Sequence, residues 1–275
     1  MGMLIVAVLA LLGLAWVVSA PWRIERLRAR IAARPFPAAW RRILRERVPL
    51  VARLPVDLQQ RLKSSIQVFL AEKPFIGCAG LEVTDEMRVV VAAQACLLEL
   101  HDRPRWFPGL RQILVYPSAF VVERTHALGG GVLQDRREAL SGESWSRGQV
   151  VLSWDDALAG AADPDDGRNV VIHEFAHQLD QQKGYASGVP LLRGRRRYRR
   201  WSTVFEQAWQ SLRADLDAGR PTLLGEYAAT EPAEFFAVAS EVFFEQPHRM
   251  AADAPQVWHE LLSFYRIDPT QWHPG

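Results

Sequence analysis

The chain has 275 residues, 49% of them apolar and 23% charged, and a formal net charge of +2. That length suits one substantial domain with short attachments, and ten tryptophans with twelve phenylalanines exclude a disordered chain. The near-neutral balance gives no electrostatic case for a nucleic-acid partner, and no direct nucleic-acid binding is expected.

Met3 to Ala20 is a run without a single charge. At about 1.5 Å per residue it is just long enough to cross a bilayer core of about 30 Å. Trp16 and Trp22 stand near its end, where indoles favour the headgroup interface. A cleavable signal ending at Val18-Ser19-Ala20 competes with an uncleaved anchor, but no Lys or Arg precedes the run. Nine arginines follow by residue 47, against Glu25 and Glu46. The positive-inside rule therefore favours a single-pass anchor in the inner membrane, residues 1–22, with the remainder cytoplasmic, over a cytosolic protein. Residues 23–37 read as a basic juxtamembrane linker, and 38–275 as one domain.

Along that domain, 38–47 and 56–73 are predicted helices. Thr84, with Asp85 and Glu86 behind it, starts another, whose stripe is Val89, Val90, Ala93, Cys96, Leu97 and Leu100. Cys78 and Cys96 read as buried free thiols in a reducing compartment. Residues 113–116, 120–122 and 149–154 are rich in β-branched and aromatic side chains and predict strands. Residues 126–146, which include Gly129-Gly130-Gly131, predict a loop, and 155–167 a turn. Beyond that the chain reads as mostly helical, with breaks near 184–194 and 219–225.

His173-Glu174-Phe175-Ala176-His177 carries the chemistry. Histidines four apart share a helix face, so both imidazoles reach one cation, and Glu174 beside them is placed to take a proton from water there. The apolar flanks Val170, Val171, Ile172 and Leu179 suit a buried helix better than a surface one. Imidazole and carboxylate donors at a four-coordinate open site suit zinc. A third ligand is needed. His101, His126, His248, His259 and His273 fall in turn-like or terminal contexts and read as surface residues. The helix predicted after a Thr230 cap and Pro232 offers Glu234 and Glu241 instead. They lie seven apart on one face, and an acid in so apolar a helix needs compensation. Spacing does not choose between them.

The stretches LSGESWSRGQVVLSWDD, HEFAHQLD and YAATEPAEFFAVASEVFF, in that order, resemble the Mlc titration factor A family of zinc peptidases. The resemblance covers roughly residues 38–268. It implies an α+β, zincin-like metallopeptidase domain, mainly helical with a small sheet. It also implies one Zn2+, weak aminopeptidase-type activity, and binding to a glucose-responsive transcriptional repressor. The family's metal site is similar to that of the anthrax lethal factor catalytic domain, where a tyrosine lies seven residues before the glutamate ligand. Tyr227 and Glu234 match that separation. The resemblance thus makes Glu234 the third ligand, Tyr227 an oxyanion donor, and Glu241 the group that orients a ligand histidine. A protein-binding regulator with little turnover is the alternative. The strand at Val150–Trp154 reads either as an edge for pairing with extended peptide or as a purely core strand. Arg193 to Arg200 reads as a solvated basic segment or a contact for anionic lipid.

Overall fold

Thr84 starts its helix as predicted, its Oγ1 accepting from the Met87 N–H at 3.2 Å. In the computed structural model, which describes residues 1–101, 104–128, 132–140, 142–145 and 148–273, that helix is α6 (Asp85–Leu97), and its whole stripe is buried. Before it come α3 (Ala38–Arg47), α4 (Leu50–Arg53) and α5 (Val56–Glu72). The predicted helices at 38–47 and 56–73 are thus present, while α4 and the strand β1 (Phe75–Gly77) were too short to declare themselves.

The sheet has the order β1, β2 (Gln112–Tyr116), β6 (Gln149–Ser153), β5 (Gly142–Trp145). The first three run parallel, and β5 closes the edge antiparallel to β6, pairing Gly142 with Leu152 and Trp145 with Gln149. Two expectations fail here. The predicted loop at 126–146 contains most of an antiparallel hairpin, β3 (Phe120–Leu128) with β4 (Val132–Leu140), and then β5. Polar residues hid the strands; the triple glycine at 129–131 lies outside the described residues. The predicted turn at 155–167 is for the most part helix α7 (Trp154–Ala162). Ser153 ends β6 and caps α7, accepting from the Asp156 N–H at 3.3 Å, and Asp155 and Asp156 complement the helix N-terminus.

The second half is α8 (Val170–Asp180), α9 (Arg195–Asp217), α10 (Pro232–Glu245), α11 (Pro247–Asp253) and α12 (Pro255–Tyr265). Helix α8 packs on β5 and β6, on α6 and α7, and on α10. Its inner side is held by Phe175, edge-on to Phe107 at 4.8 Å between ring centroids and 5.8 Å from Phe69. The far side of α10 is seated by Trp201, Phe236 and Phe264, and by Phe243 against Tyr265. Aromatic contacts on both helices fix the spacing between α8 and α10, which is the spacing the site depends on. Cys96 is buried and Cys78 half-buried, both free.

At the N-terminus, α1 (Gly2–Val18) meets α2 (Ala20–Ala32) at a bend of 46°. Among the described residues no single helix is long and apolar enough to cross a membrane; α1 and α2 pass that test only as a bent pair. The leucines and valines of α1 stand exposed, from Leu4 to Val18. Arg23 lies 3.6 Å over the Trp16 ring and Arg26 3.9 Å over Trp22. Helix α2 packs on α5, where Arg28 grips Glu72 with two hydrogen bonds of 2.6 and 2.9 Å and covers Trp106 at 4.5 Å.

Candidate metal centre

Helix α8 begins at Asn169, whose Oδ1 accepts from the Ile172 N–H at 3.0 Å. The same side chain donates to Glu245 Oε1 at 2.9 Å and to the Gly160 carbonyl at 3.2 Å. The cap is therefore also a tie to α10. From that start His173 and His177 fall one turn apart on the helix, with Glu174 next to His173, and all three are buried.

The three donor groups of His173, His177 and Glu234 each offer one atom within 4.8 Å of the others. Glu234 Oε2 lies 3.0 Å from His173 Nε2 and 3.4 Å from His177 Nε2. Ligands at about 2.1 Å from one tetrahedral ion stand about 3.4 Å apart, close to the two distances that Glu234 makes to the histidines. The other nitrogen of His173, Nδ1, is 2.8 Å from Glu241 Oε1. With Nδ1–H donating there, Nε2 presents its lone pair toward Glu234 and His177. Glu241 Oε2 also accepts from the Asn169 backbone N–H at 2.5 Å.

The charges agree with a cation site. Burial opposes a charged imidazole, yet hydrogen bonds with Glu234 and Glu241 raise His173 well above its ordinary pKa. Burial likewise opposes ionised Glu234, and the two histidines hold it well below the carboxylate range. Carboxylates gathered so closely around imidazoles favour a positive charge among them, which a divalent ion supplies. His173 and Glu174 also interact electrostatically. Tyr227, in a short 3-10 turn (Tyr227–Ala229) just before α10, has its ring centroid 5.8 Å from that of His173 and is 57% exposed.

Three of the sequence expectations change: a cap, a sheet edge and the exposure of one histidine. Thr230 does not cap α10: Glu231 occupies that position, and Thr230 Oγ1 donates to the Tyr227 carbonyl at 2.7 Å. The edge beside the site helix is β5, because β6 is paired on both sides. Of the histidines expected at the surface, His248 and His259 are exposed and His101 is half-buried. His273 is buried, with Nδ1 3.2 Å from Asp165, and His126 lies outside the described side chains.

Asp180 escaped the sequence reading. It is fully buried at the end of α8, and its Oδ2 accepts from the N–H groups of Ser187 and Gly188, both at 2.6 Å. Gly188 has φ +74°, and a Cβ there would stand 2.3 Å from the Pro232 carbonyl oxygen. The end of α8 thereby holds a loop pressed against the first turn of α10, two residues before Glu234. A buried acid just beyond an HExxH helix, followed by a glycine, was the available signal.

The sequence profile of the glucose-regulated metallo-peptidase M90 family matches residues 21–266. The chain belongs to that family. It is 41% identical over 249 residues to an uncharacterized protein of Synechocystis sp., covering 90% of this chain and 89% of the relative. It is 36% identical over 230 residues to Mlc titration factor A of Klebsiella pneumoniae, covering 81% and 84%. To Mlc titration factor A of Cronobacter sakazakii it is 34% identical over 257 residues, covering 90% and 91%. This M90 family member thus has a metallopeptidase-like domain, mostly helical around a small, largely parallel sheet, and a three-residue candidate site for a divalent metal.

Glu245, which meets the cap of the site helix, gives this M90 domain a pH signature. Burial above all, with the nearby charges of Glu241 and Asp166, pushes its carboxyl up to about 9. An unfolded glutamate releases its proton near pH 4.3. Between those values the folded chain keeps a proton that the unfolded chain has lost, so rising pH favours unfolding. Glu245→Gln should flatten this loss between pH 5 and 9. Urea midpoints with parallel pH dependence in both proteins would refute it.

Proposed function

We propose that this protein is a zinc-dependent peptidase of aminopeptidase type, with a zincin-like domain at 38–275. The observation that carries the reading is the convergence of His173, His177 and Glu234, whose donor atoms all lie within 4.8 Å of one another. A zinc ion held there would supply Lewis-acid charge to polarise a peptide carbonyl and make water acidic enough to react at neutral pH. The chain's own residues do the rest. Glu174, buried beside His173, accepts a proton from the attacking water and returns it to the leaving amine. Tyr227, at the exposed rim, donates its hydroxyl to the carbonyl oxygen as charge develops there. Glu241 holds the His173 ring in one tautomer and one orientation. Strand β5, at the sheet edge and packed on α8, offers backbone groups to an extended peptide.

Hydrolysis of aminoacyl anilides should vanish on chelation and return with zinc. Hydrolysis that persists in protein stripped of metal would sink the assignment.

A second role is favoured by the name that the Klebsiella and Cronobacter relatives carry, Mlc titration factor A. It supports binding of a transcriptional repressor, with the metal domain also serving as a scaffold. The exposed, uniformly apolar α1 and the basic residues after it support an uncleaved membrane anchor over residues 1–22, a juxtamembrane segment over 23–37 and a cytoplasmic domain.

A further inference from the structure

The basic run from Arg193 to Arg200 is divided by the fold. Arg200 is paired with Glu260, and Arg195, Arg196 and Arg199 are exposed. Arg193 and Arg197 instead line a cavity of about 810 Å³, joined there by Arg105 and Arg266. Its walls include Glu25 of α2 and Glu99, and Leu179, Phe264 and Tyr265 make it apolar in part.

The acids in this cavity are already engaged. Glu25 pairs with Arg28 at 3.2 Å. Glu99 Oε2 accepts from the backbone N–H groups of Arg105 and Phe107, and burial pushes its carboxyl up to about 7. The arginines are less fully matched. Among the described residues neither Arg193 nor Arg266 has a salt bridge. Arg197 donates one amino group to the Ser263 carbonyl and hydroxyl, at 2.5 and 3.0 Å. Its Nε is buried without a hydrogen-bond partner among the described residues. Burial, with the charge of Arg266, pushes the Arg197 guanidinium pKa down. A buried donor beside like charges is costly unless an anion meets it.

We propose that this cavity binds a phosphate-type anion, and that its source is the headgroup of an acidic phospholipid. The planar forks of Arg193, Arg197 and Arg266 suit phosphate oxygens, and the apolar wall suits the first methylenes of the lipid's acyl chains. Glu25 places the cavity wall seven residues beyond Val18, about 10 Å along a helix from the end of α1. The lipid source rests on the reading of α1 as an anchor; the anion site does not.

The test uses the full chain in maltoside micelles, titrated by calorimetry with dihexanoyl phosphatidylglycerol, dihexanoyl phosphatidylcholine or inorganic phosphate. Phosphatidylglycerol should bind more tightly than either other probe. At roughly one arginine's worth of headgroup attraction each, Arg193→Gln/Arg197→Gln/Arg266→Gln should weaken it about 100-fold. Arg195→Gln/Arg196→Gln/Arg199→Gln should leave it unchanged. Arg193→Gln alone, in an exposed loop, should give a partial loss and covers the case of a triple variant that misfolds. Equal weakening in both triple variants would replace the cavity by diffuse surface charge. Inorganic phosphate binding as tightly as phosphatidylglycerol, or binding without it, would overturn the lipid source, and absence of binding by both would overturn the site. Flotation with neutral phosphatidylcholine vesicles reads the anchor separately, so its failure is distinguishable from failure of the cavity.

Discussion

Glu174→Gln is expected to lower peptide hydrolysis by about 10²–10⁴-fold while zinc content stays at the wild-type level. The amide keeps the shape of the carboxylate in a position only 4% exposed, so the fold and the ligand triangle should survive. It can neither accept the proton of the attacking water nor return it to the leaving amine, the two tasks assigned to this side chain. The measurement is kcat for an aminoacyl anilide at verified metal occupancy. A variant with full zinc and near wild-type kcat would remove Glu174 as the base and assign that role to another group.

The second large effect separates the two glutamates of α10. Glu234→Ala should reduce zinc affinity by more than the roughly 10–100-fold that loss of an orienting partner costs. Glu241→Gln should fall within that range. The order follows from geometry: Glu234 reaches the Nε2 atoms of both histidines, whereas the one imidazole nitrogen that Glu241 meets is Nδ1 of His173. Competition with a fluorescent zinc chelator measures both. If Glu241→Gln released the metal as completely as Glu234→Ala, the two assignments would have to be exchanged or merged.

That geometry also explains what the sequence could and could not say. His173, Glu174 and His177 were legible because helical periodicity alone brings them together. Glu234 and Glu241 both belonged to the site by the same reasoning, an acid in an apolar helix. They grip opposite nitrogens of one imidazole, and a seven-residue spacing contains no information about which nitrogen faces which acid. Choosing Glu234 required the family resemblance. Tyr227 had no local signal either, since its place near His173 depends on a 3-10 turn packed on α9 and α10. In the fold, α5 and α6 were readable from their apolar periodicity. Strand β5, with the sequence Gly-Glu-Ser-Trp, had too few β-forming residues to show itself and is defined by pairing with β6. Helix α7 was obscured by the aspartates that in fact serve its first turn.

The carboxylate of Glu241 touches two points on α8: the backbone where the helix begins and the imidazole one turn later. Registration of one helix and aim of one ligand are therefore a single mechanical event. The partners are 68 residues apart along the chain, so a ribosome working at about 5–20 residues per second needs roughly 3–14 s to supply the second after the first. During that interval the nascent protein carries His173, Glu174 and His177 while the segment with Glu234 and Glu241 is still being added. A hydrolase assembled in this order acquires its competence late, after most of its own polypeptide has been made.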